Sequence, residues 1–131
     1  MAEVFGYELV ARALKNEGAD TMFFIMGGPM LGAQDACRKL GIRMIDVRHE
    51  QAAAMMANAY ARLTGKAGVC SAASGPATMN LVSGVAHAYA DSAPIIAMGG
   101  ASPISQLHSE AFQEIDQLSI MRPATKWAAQ A

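Results

Sequence analysis

The segment AGVCSAASGPATMNLVSGVAHAYADSAPIIAMGG, residues 67–100, contains a complete strand, helix and strand pattern. Its first part, AGVCSAAS (67–74), and its last part, APIIAMGG (93–100), are apolar runs typical of buried strands. Between them, residues 75–91 predict a helix with Pro76 in its first turn and Ser74 as its possible cap. This alternation favours an α/β domain, in which helices cover both faces of a mainly parallel sheet.

The rest of the chain continues the alternation. Two more strands are predicted in TMFFIMGG (21–28) and IRMIDV (42–47). Three more helices are predicted, and glycines at 18, 41 and 65 should end them. The inward residues expected from helical spacing are Leu9, Val10, Ala13 and Leu14 in the first helix, Leu31, Ala36 and Leu40 in the second, and Ala52, Met56, Ala59, Tyr60 and Leu63 in the third, which runs from Glu50 to Thr64.

The composition narrows the classes of partner. The chain has 131 residues, enough for one domain, and we expect a single domain over residues 1–131. Hydrophobic residues make up 53% and charged residues 16%, so apolar surface should be covered in a larger assembly, such as a homo-oligomer. The net charge of -1 without a basic run argues against nucleic acid or a membrane surface as a partner.

The sequence also predicts where in the cell the protein is found and the state of its two cysteines. The N-terminal segment lacks the basic and apolar regions of a secretory signal, and no stretch is long enough to span a membrane, so we expect a cytoplasmic protein. Cys37 and Cys70 lie far apart in apolar segments, without the close cysteine or histidine spacing of a zinc site. We expect reduced core thiols and no metal site.

Ligands of α/β domains bind at the carboxyl ends of the strands, where this chain has three conspicuous loops at 26–29, 47–51 and 73–80. The glycines of MGGP are by themselves more typical of a tight turn than of a site. The SGP sequence places free amides at a helix start, which attract phosphate, but it matches neither the dinucleotide fingerprint nor the P-loop.

Glu50 stands in the second loop, between apolar segments that would disfavour its ionised form, at a helix start that would favour it. On the residues alone, a structural ion pair with Arg48 or Arg62 is favoured over catalysis. His49, His87 and His108 have no common spacing that would indicate a shared ligand or base.

Three linked motifs carry a resemblance to a known family. The motifs are, in this order, RHEQAAAMMANAYARLTGKAGV (48–69), SGPATMNLVSGVAHAYADSAPIIAMGG (74–100) and EAFQEIDQLSIMRPATKW (110–127). Together they resemble the amino-terminal pyrimidine-binding (PYR) domain of thiamine-diphosphate enzymes of the acetolactate synthase and oxalyl-CoA decarboxylase group. The resemblance implies a flavodoxin-like fold. It also implies a role in cofactor activation, since the glutamate matched by Glu50 donates a hydrogen bond to ring nitrogen N1′ of the cofactor's aminopyrimidine.

The resemblance implies further site residues. Gly27 and Gly28 match a glycine turn beside the pyrimidine. The loop and helix that border the ring are matched by Gly75, Pro76 and Asn80, while Phe112 and Gln113 match a segment on the substrate side.

Family members are several times longer, and a separate domain holds the diphosphate and Mg²⁺ through a GDG…N segment that these 131 residues lack. The resemblance therefore implies a half-site that needs a diphosphate-binding domain of the same or another chain, a 2-oxo acid or acyl-CoA substrate, and FAD as an option in the full-length enzyme. Three alternatives stay open: the small subunit of a two-subunit decarboxylase such as sulfopyruvate decarboxylase, a non-catalytic assembly module, and an unrelated flavodoxin-like nucleotide binder.

Overall fold

The computed structural model describes residues 3–131. Its strands are β1 (Thr21–Phe24), β2 (Arg43–Asp46), β3 (Gly68–Ala72) and β4 (Ile95–Gly99). Its α-helices are α1 (Gly6–Asn16), α2 (Leu31–Lys39), α3 (Glu50–Thr64), α4 (Pro76–Ala90) and α5 (Gln117–Met121). Short 3-10 turns occupy Gly28–Met30, Ile104–Gln106 and Arg122–Ala124.

The four strands form one parallel sheet in the order β2-β1-β3-β4. One hydrophobic cluster joins α1 and α2 to the sheet, and a second cluster joins α3 and α4 to it. Right-handed crossovers explain this division, because the chain reverses direction across the sheet after β2 and its later helices fall on the opposite face. The predicted three-layer α/β/α architecture is confirmed.

The central strands contribute side chains to both clusters. Met22 and Val69 are paired in register and belong to the cluster with α1 and α2. The next pair, Phe23 and Cys70, belongs to the cluster with α3 and α4. A strand buried on both faces needs apolar residues at successive positions, which is why these segments read as continuous apolar runs.

The helix ends agree with the sequence. Gly18, Gly41 and Gly65 have φ values of 84°, 76° and 72°, the left-handed conformation that glycine adopts without strain. The third helix occupies the predicted range from Glu50 to Thr64. Within residues 3–131, no helix combines the length and apolar character needed to cross a membrane.

The predicted inner face of α3 is wrong at four of its five residues: Tyr60 packs against the core, whereas Ala52, Met56, Ala59 and Leu63 are exposed. Met56 is 38% exposed and Leu63 is 87% exposed, whereas Ala53, Ala54 and Ala57 are completely buried. The physical reason is the close packing of α3 on its neighbours, which only small side chains allow. The large apolar residues Met56 and Leu63 therefore lie on the outer face of α3.

The predicted inner faces of α1 and α2 are partly confirmed: Leu14 belongs to the core cluster and Val10 packs against it. In α1, Leu9 is 54% exposed and Ala13 is also exposed, while Ala11 and Leu14 are buried. The predicted inward residues of the second helix divide as well, because Ala36 is buried and both Leu31 and Leu40 are exposed. Among the predicted residues of α2 the buried one is again the small one, whereas α1 buries both Ala11 and Leu14.

Both cysteines are free and buried in the core, as expected. Burial raises the pKa of the Cys37 thiol above its usual value and raises the pKa of Cys70 to about 12. A thiol with a raised pKa forms little thiolate, so neither cysteine is suited to nucleophilic chemistry.

The start of β1 is tied to the end of α3 by an acidic residue. The ammonium group of Lys66 lies 2.6 Å from an Asp20 carboxylate oxygen, and the Tyr60 hydroxyl donates a hydrogen bond to the same carboxylate. These bonds hold the pKa of Asp20 well below its usual range. The contact joins elements at the amino end of the sheet, away from the loops expected to bind ligand, so its role is structural.

Candidate functional site

The loops that follow β1, β2 and β3 meet at the carboxyl edge of the sheet. The chain order reverses between β1 and β3, and ligands of such sheets bind in the crevice outside that position. An open pocket of about 710 Å³ lies there. It is lined by Gly27, Gly28, Pro29, Ala73, Ser74, Ala101, Ser102, Pro103, Gln106, Phe112 and Gln113.

The two glycines of the predicted turn both line this pocket, for different reasons. A Cβ atom on Gly27 would lie 2.3 Å from the Cβ of Ala73, so the loops after β1 and β3 can touch only if residue 27 is glycine. A Cβ atom on Gly28 would meet nothing within 4 Å. Gly27 is thus required by the fold, whereas Gly28 leaves space at the pocket wall.

Glu50 and Asn80, which are 30 residues apart, are brought into contact by the packing of α3 on α4. The Asn80 side-chain amide donates a hydrogen bond of 2.9 Å to Glu50 Oε2. Glu50 is the first residue of α3, and its neighbour His49 caps the helix by accepting a bond from the Gln51 amide at 3.1 Å. The cap fixes the helix start, and the asparagine fixes the carboxylate.

The alternative in which Glu50 forms a structural ion pair is wrong. Arg48 pairs with Asp46 at 2.9 Å, and Arg62 pairs with Asp91 at 2.9 Å. Both arginines are thus engaged with other carboxylates, and the side-chain partner of Glu50 is the neutral amide of Asn80.

Gly75 and Pro76 form the start of α4, as predicted, but Ser74 is not its side-chain cap. The cap position is Gly75, with a φ of 55°, and its amide donates to Gln117 Oε1 at 3.1 Å. Ser74 is buried and its hydroxyl instead donates a long hydrogen bond of 3.4 Å to Gln113 Oε1. Because Gln117 already occupies the Gly75 amide, the phosphate-cradle interpretation of SGP loses its first donor.

Phe112 and Gln113, predicted on the substrate side, lie at the pocket rim. The Phe112 side chain is 85% exposed while lining the pocket. The backbone oxygen of Gln113 lies so close to Gly75 that a Cβ atom there would be 2.0 Å from it. The segment that carries both residues therefore packs directly on the start of α4.

Two residues with evident roles here were missed by the sequence analysis. Gln117 accepts from the Gly75 amide and donates to the Gly100 carbonyl at 2.9 Å, which joins α4 to the end of β4. Glu114 binds backbone amides of residues 108 and 111 in the loop before it. Gln117 has no local signal, because a side chain that binds a backbone 42 residues away leaves no spacing pattern. The bonds of Glu114 are local, but they depend on the left-handed backbone of the loop, which the sequence pattern did not indicate.

The histidines do not converge. His49 caps α3, His87 lies 3.2 Å from Asp91 near the end of α4, and His108 belongs to the loop before α5. Among residues 3–131, no three histidine, cysteine, aspartate or glutamate side chains are grouped so that they could hold a metal ion.

Comparison with known proteins shows what the chain is similar to. The chain is 47% identical over 121 residues to the probable acetolactate synthase large subunit of Methanocaldococcus jannaschii, a match that covers 92% of the chain and 20% of that protein. It is 43% identical over 127 residues to the acetolactate synthase large subunit of Haemophilus influenzae, covering 96% of the chain and 22% of that protein.

A third relative is the acetolactate synthase isozyme 2 large subunit of Escherichia coli, 42% identical over 121 residues, covering 92% of the chain and 22% of that protein. The chain thus spans about a fifth of the length of these relatives. The family profile described as "Thiamine pyrophosphate enzyme, N-terminal TPP binding domain" matches residues 5–120. The chain therefore belongs to the family of N-terminal TPP-binding domains of thiamine pyrophosphate enzymes.

Proposed function

We propose that residues 1–131 form the pyrimidine-binding domain of an acetolactate synthase-like enzyme that acts on 2-oxo acids, with Glu50 as its catalytic residue. The observation that carries this proposal is the contact between Asn80 and Glu50 at the adjoining starts of α3 and α4. A carboxylate held by a neutral amide at a helix start is arranged to meet a ligand, although neither Glu50 nor Asn80 lines the open pocket itself.

The residues present fit the pyrimidine end of thiamine diphosphate. Gly28 leaves the pocket wall open where a side chain would project. Glu50 is only partly buried, and among residues 3–131 its Oε1 atom has no hydrogen-bond partner, so that oxygen can face a ring nitrogen. When bound, thiamine diphosphate supplies the carbanion chemistry that 2-oxo acids require.

The chain's own contribution is to place and hold groups. Glu50 would hold a proton in a hydrogen bond at ring nitrogen N1′, and Asn80 would keep the carboxylate in position for that bond. Gly28 keeps a side chain out of the pocket and Gly27 lets its two loops touch, while Gly75 and Pro76 form the start of α4 next to Ser74, which lines the pocket.

The remaining parts of the enzyme would come from outside residues 1–131. We propose a partner domain, of the same or another chain, that holds the diphosphate and Mg²⁺, within a cytoplasmic homo-oligomer. The named relatives are large subunits roughly five times as long as the match, which supports a need for further domains. We also propose FAD as an optional cofactor of the full-length enzyme, and an acyl-CoA as the alternative to a 2-oxo acid substrate.

Two alternatives make different predictions. A small subunit of a two-subunit decarboxylase would become active on mixing with a separate diphosphate-binding chain. A non-catalytic assembly module would bind its partner without changing cofactor reactivity. The identity to acetolactate synthase large subunits favours the synthase lineage over both.

Replacing Glu50 by Gln tests the proposal. The variant keeps the size of the side chain but cannot exchange a proton with N1′, so deuterium exchange at the C2 atom of the cofactor should fall by about 10²-fold or more. The measurement uses an enzyme in which the diphosphate-binding domain accompanies this chain, together with a melting curve that should change little.

Glu17→Gln is the matched control, because Glu17 is an exposed glutamate at the end of α1. It should leave the exchange rate as in the wild type. Equal exchange rates in wild type and Glu50→Gln would remove Glu50 from the mechanism and favour the assembly module.

A further inference from the structure

The loop between the 3-10 turn at Ile104–Gln106 and α5 has an unusual backbone. Three of its non-glycine residues have left-handed φ values: His108 at 65°, Glu110 at 56° and Gln113 at 60°. Side chains disfavour this conformation, because the Cβ atom crowds the following carbonyl oxygen. A short loop that repeats it needs specific contacts to hold it.

Glu114 provides such contacts from inside the loop. One carboxylate oxygen accepts a hydrogen bond of 2.5 Å from the His108 amide, and the other accepts one of 3.0 Å from the Ala111 amide. The Glu114 amide also donates to the Ala111 carbonyl at 2.9 Å. These backbone bonds lower the pKa of Glu114 below its usual value, so the carboxylate stays charged and binds both amides strongly.

The held loop places its tip on the candidate site. Phe112 and Gln113 lie in the chain between Ala111, whose amide Glu114 binds, and Glu114 itself. Phe112 lines the pocket, and Gln113 contacts Ser74 and Gly75. A change in the backbone at residues 108–111 would therefore move the rim of the pocket. The contacts link the carboxylate of Glu114, which is only partly buried, to the pocket residues Phe112 and Gln113.

We propose that Glu114 is a positioning residue, which holds the loop of residues 107–114 in its left-handed conformation and thereby sets Phe112 and Gln113 against the pocket. The effect of Glu114 on catalysis rests on the proposed function. Its effect on the conformation of the loop can be tested independently of that function. Glu110 offers a matched comparison, since it is an exposed glutamate in the same loop and binds neither of these amides.

The first experiment measures amide hydrogen exchange of the 131-residue protein in Glu114→Ala, Glu114→Gln and Glu110→Ala. In Glu114→Ala, exchange at residues 108 and 111 should rise by about tenfold, the equivalent of a lost hydrogen bond. Glu114→Gln keeps the size and one acceptor oxygen and should fall in between, and Glu110→Ala should match the wild type. Unchanged exchange in Glu114→Ala would overturn the proposal.

The second experiment measures steady-state kinetics of the complete enzyme with a 2-oxo acid. Because a misplaced rim affects substrate positioning, Glu114→Ala should lower kcat/KM by about 10²-fold while deuterium exchange at the cofactor C2 atom stays normal. A parallel fall in C2 exchange would overturn a positioning role. A wild type without turnover would contradict the proposed function, and the hydrogen-exchange result would still decide the role of Glu114.

Discussion

At the scale of single residues, the adjacent glycines of the turn after β1 serve different needs. Gly28→Ala adds a methyl group where no atom lies within 4 Å, so the melting temperature should stay close to that of the wild type. The same methyl group would narrow the proposed pyrimidine site, and cofactor affinity should fall by about tenfold or more, the loss of roughly 1.4 kcal/mol. Calorimetric titration of thiamine diphosphate into the complete enzyme, with a melting curve of this chain, measures both effects.

Gly27→Ala is the matched variant, and its main expected effect is on the stability of the fold. Its methyl group would lie 2.3 Å from the Ala73 Cβ, so this change should lower the melting temperature through overpacking. If Gly28→Ala left cofactor affinity unchanged, the pyrimidine would have to lie elsewhere.

At the scale of elements, the packing of α3 against α4 depends on one glycine. A Cβ atom on Gly84 would lie 2.5 Å from the Ala54 Cβ and 3.0 Å from the Met55 amide nitrogen. Gly84→Ala should therefore destabilise the domain by about 1–3 kcal/mol, because the two helices would have to separate. Gly6→Ala in α1 meets nothing within 4 Å and should be neutral or stabilise by up to about 1 kcal/mol. Chemical denaturation of both variants gives the comparison, and equal stabilities would show that the helices can adjust.

At the scale of the whole molecule, the exposed apolar side chains predict association. Met56 and Leu63 are exposed on α3, the helix that begins at Glu50, so this helix presents apolar side chains to solvent. We expect the isolated chain to self-associate, and Met56→Lys with Leu63→Lys to weaken this association without lowering the melting temperature. Leu9→Lys on α1, a helix of the other layer, should have a smaller effect. Sedimentation velocity over a concentration series measures it, and a wild-type monomer at high concentration would refute the expectation.

The sequence by itself determined the order and type of α1 to α4 and β1 to β4, whereas α5 and the short 3-10 turns were not predicted. Buried parallel strands require continuous apolar runs, and helices end where a glycine adopts a left-handed conformation, so β1 and α3 were visible in the linear pattern. The linked motifs are also sufficient to identify the family, because several fixed spacings must coincide to produce such a match.

Only the tertiary structure decided which surfaces and side chains meet. Large apolar residues pointed to the wrong face of α3, because close helix packing selects alanine and glycine rather than bulk. The bond between Asn80 and Glu50 and the role of Gln117 were likewise invisible, since both join positions 30 or more residues apart. Periodicity along a chain records local geometry, whereas the partner of a polar side chain depends on how the layers come together.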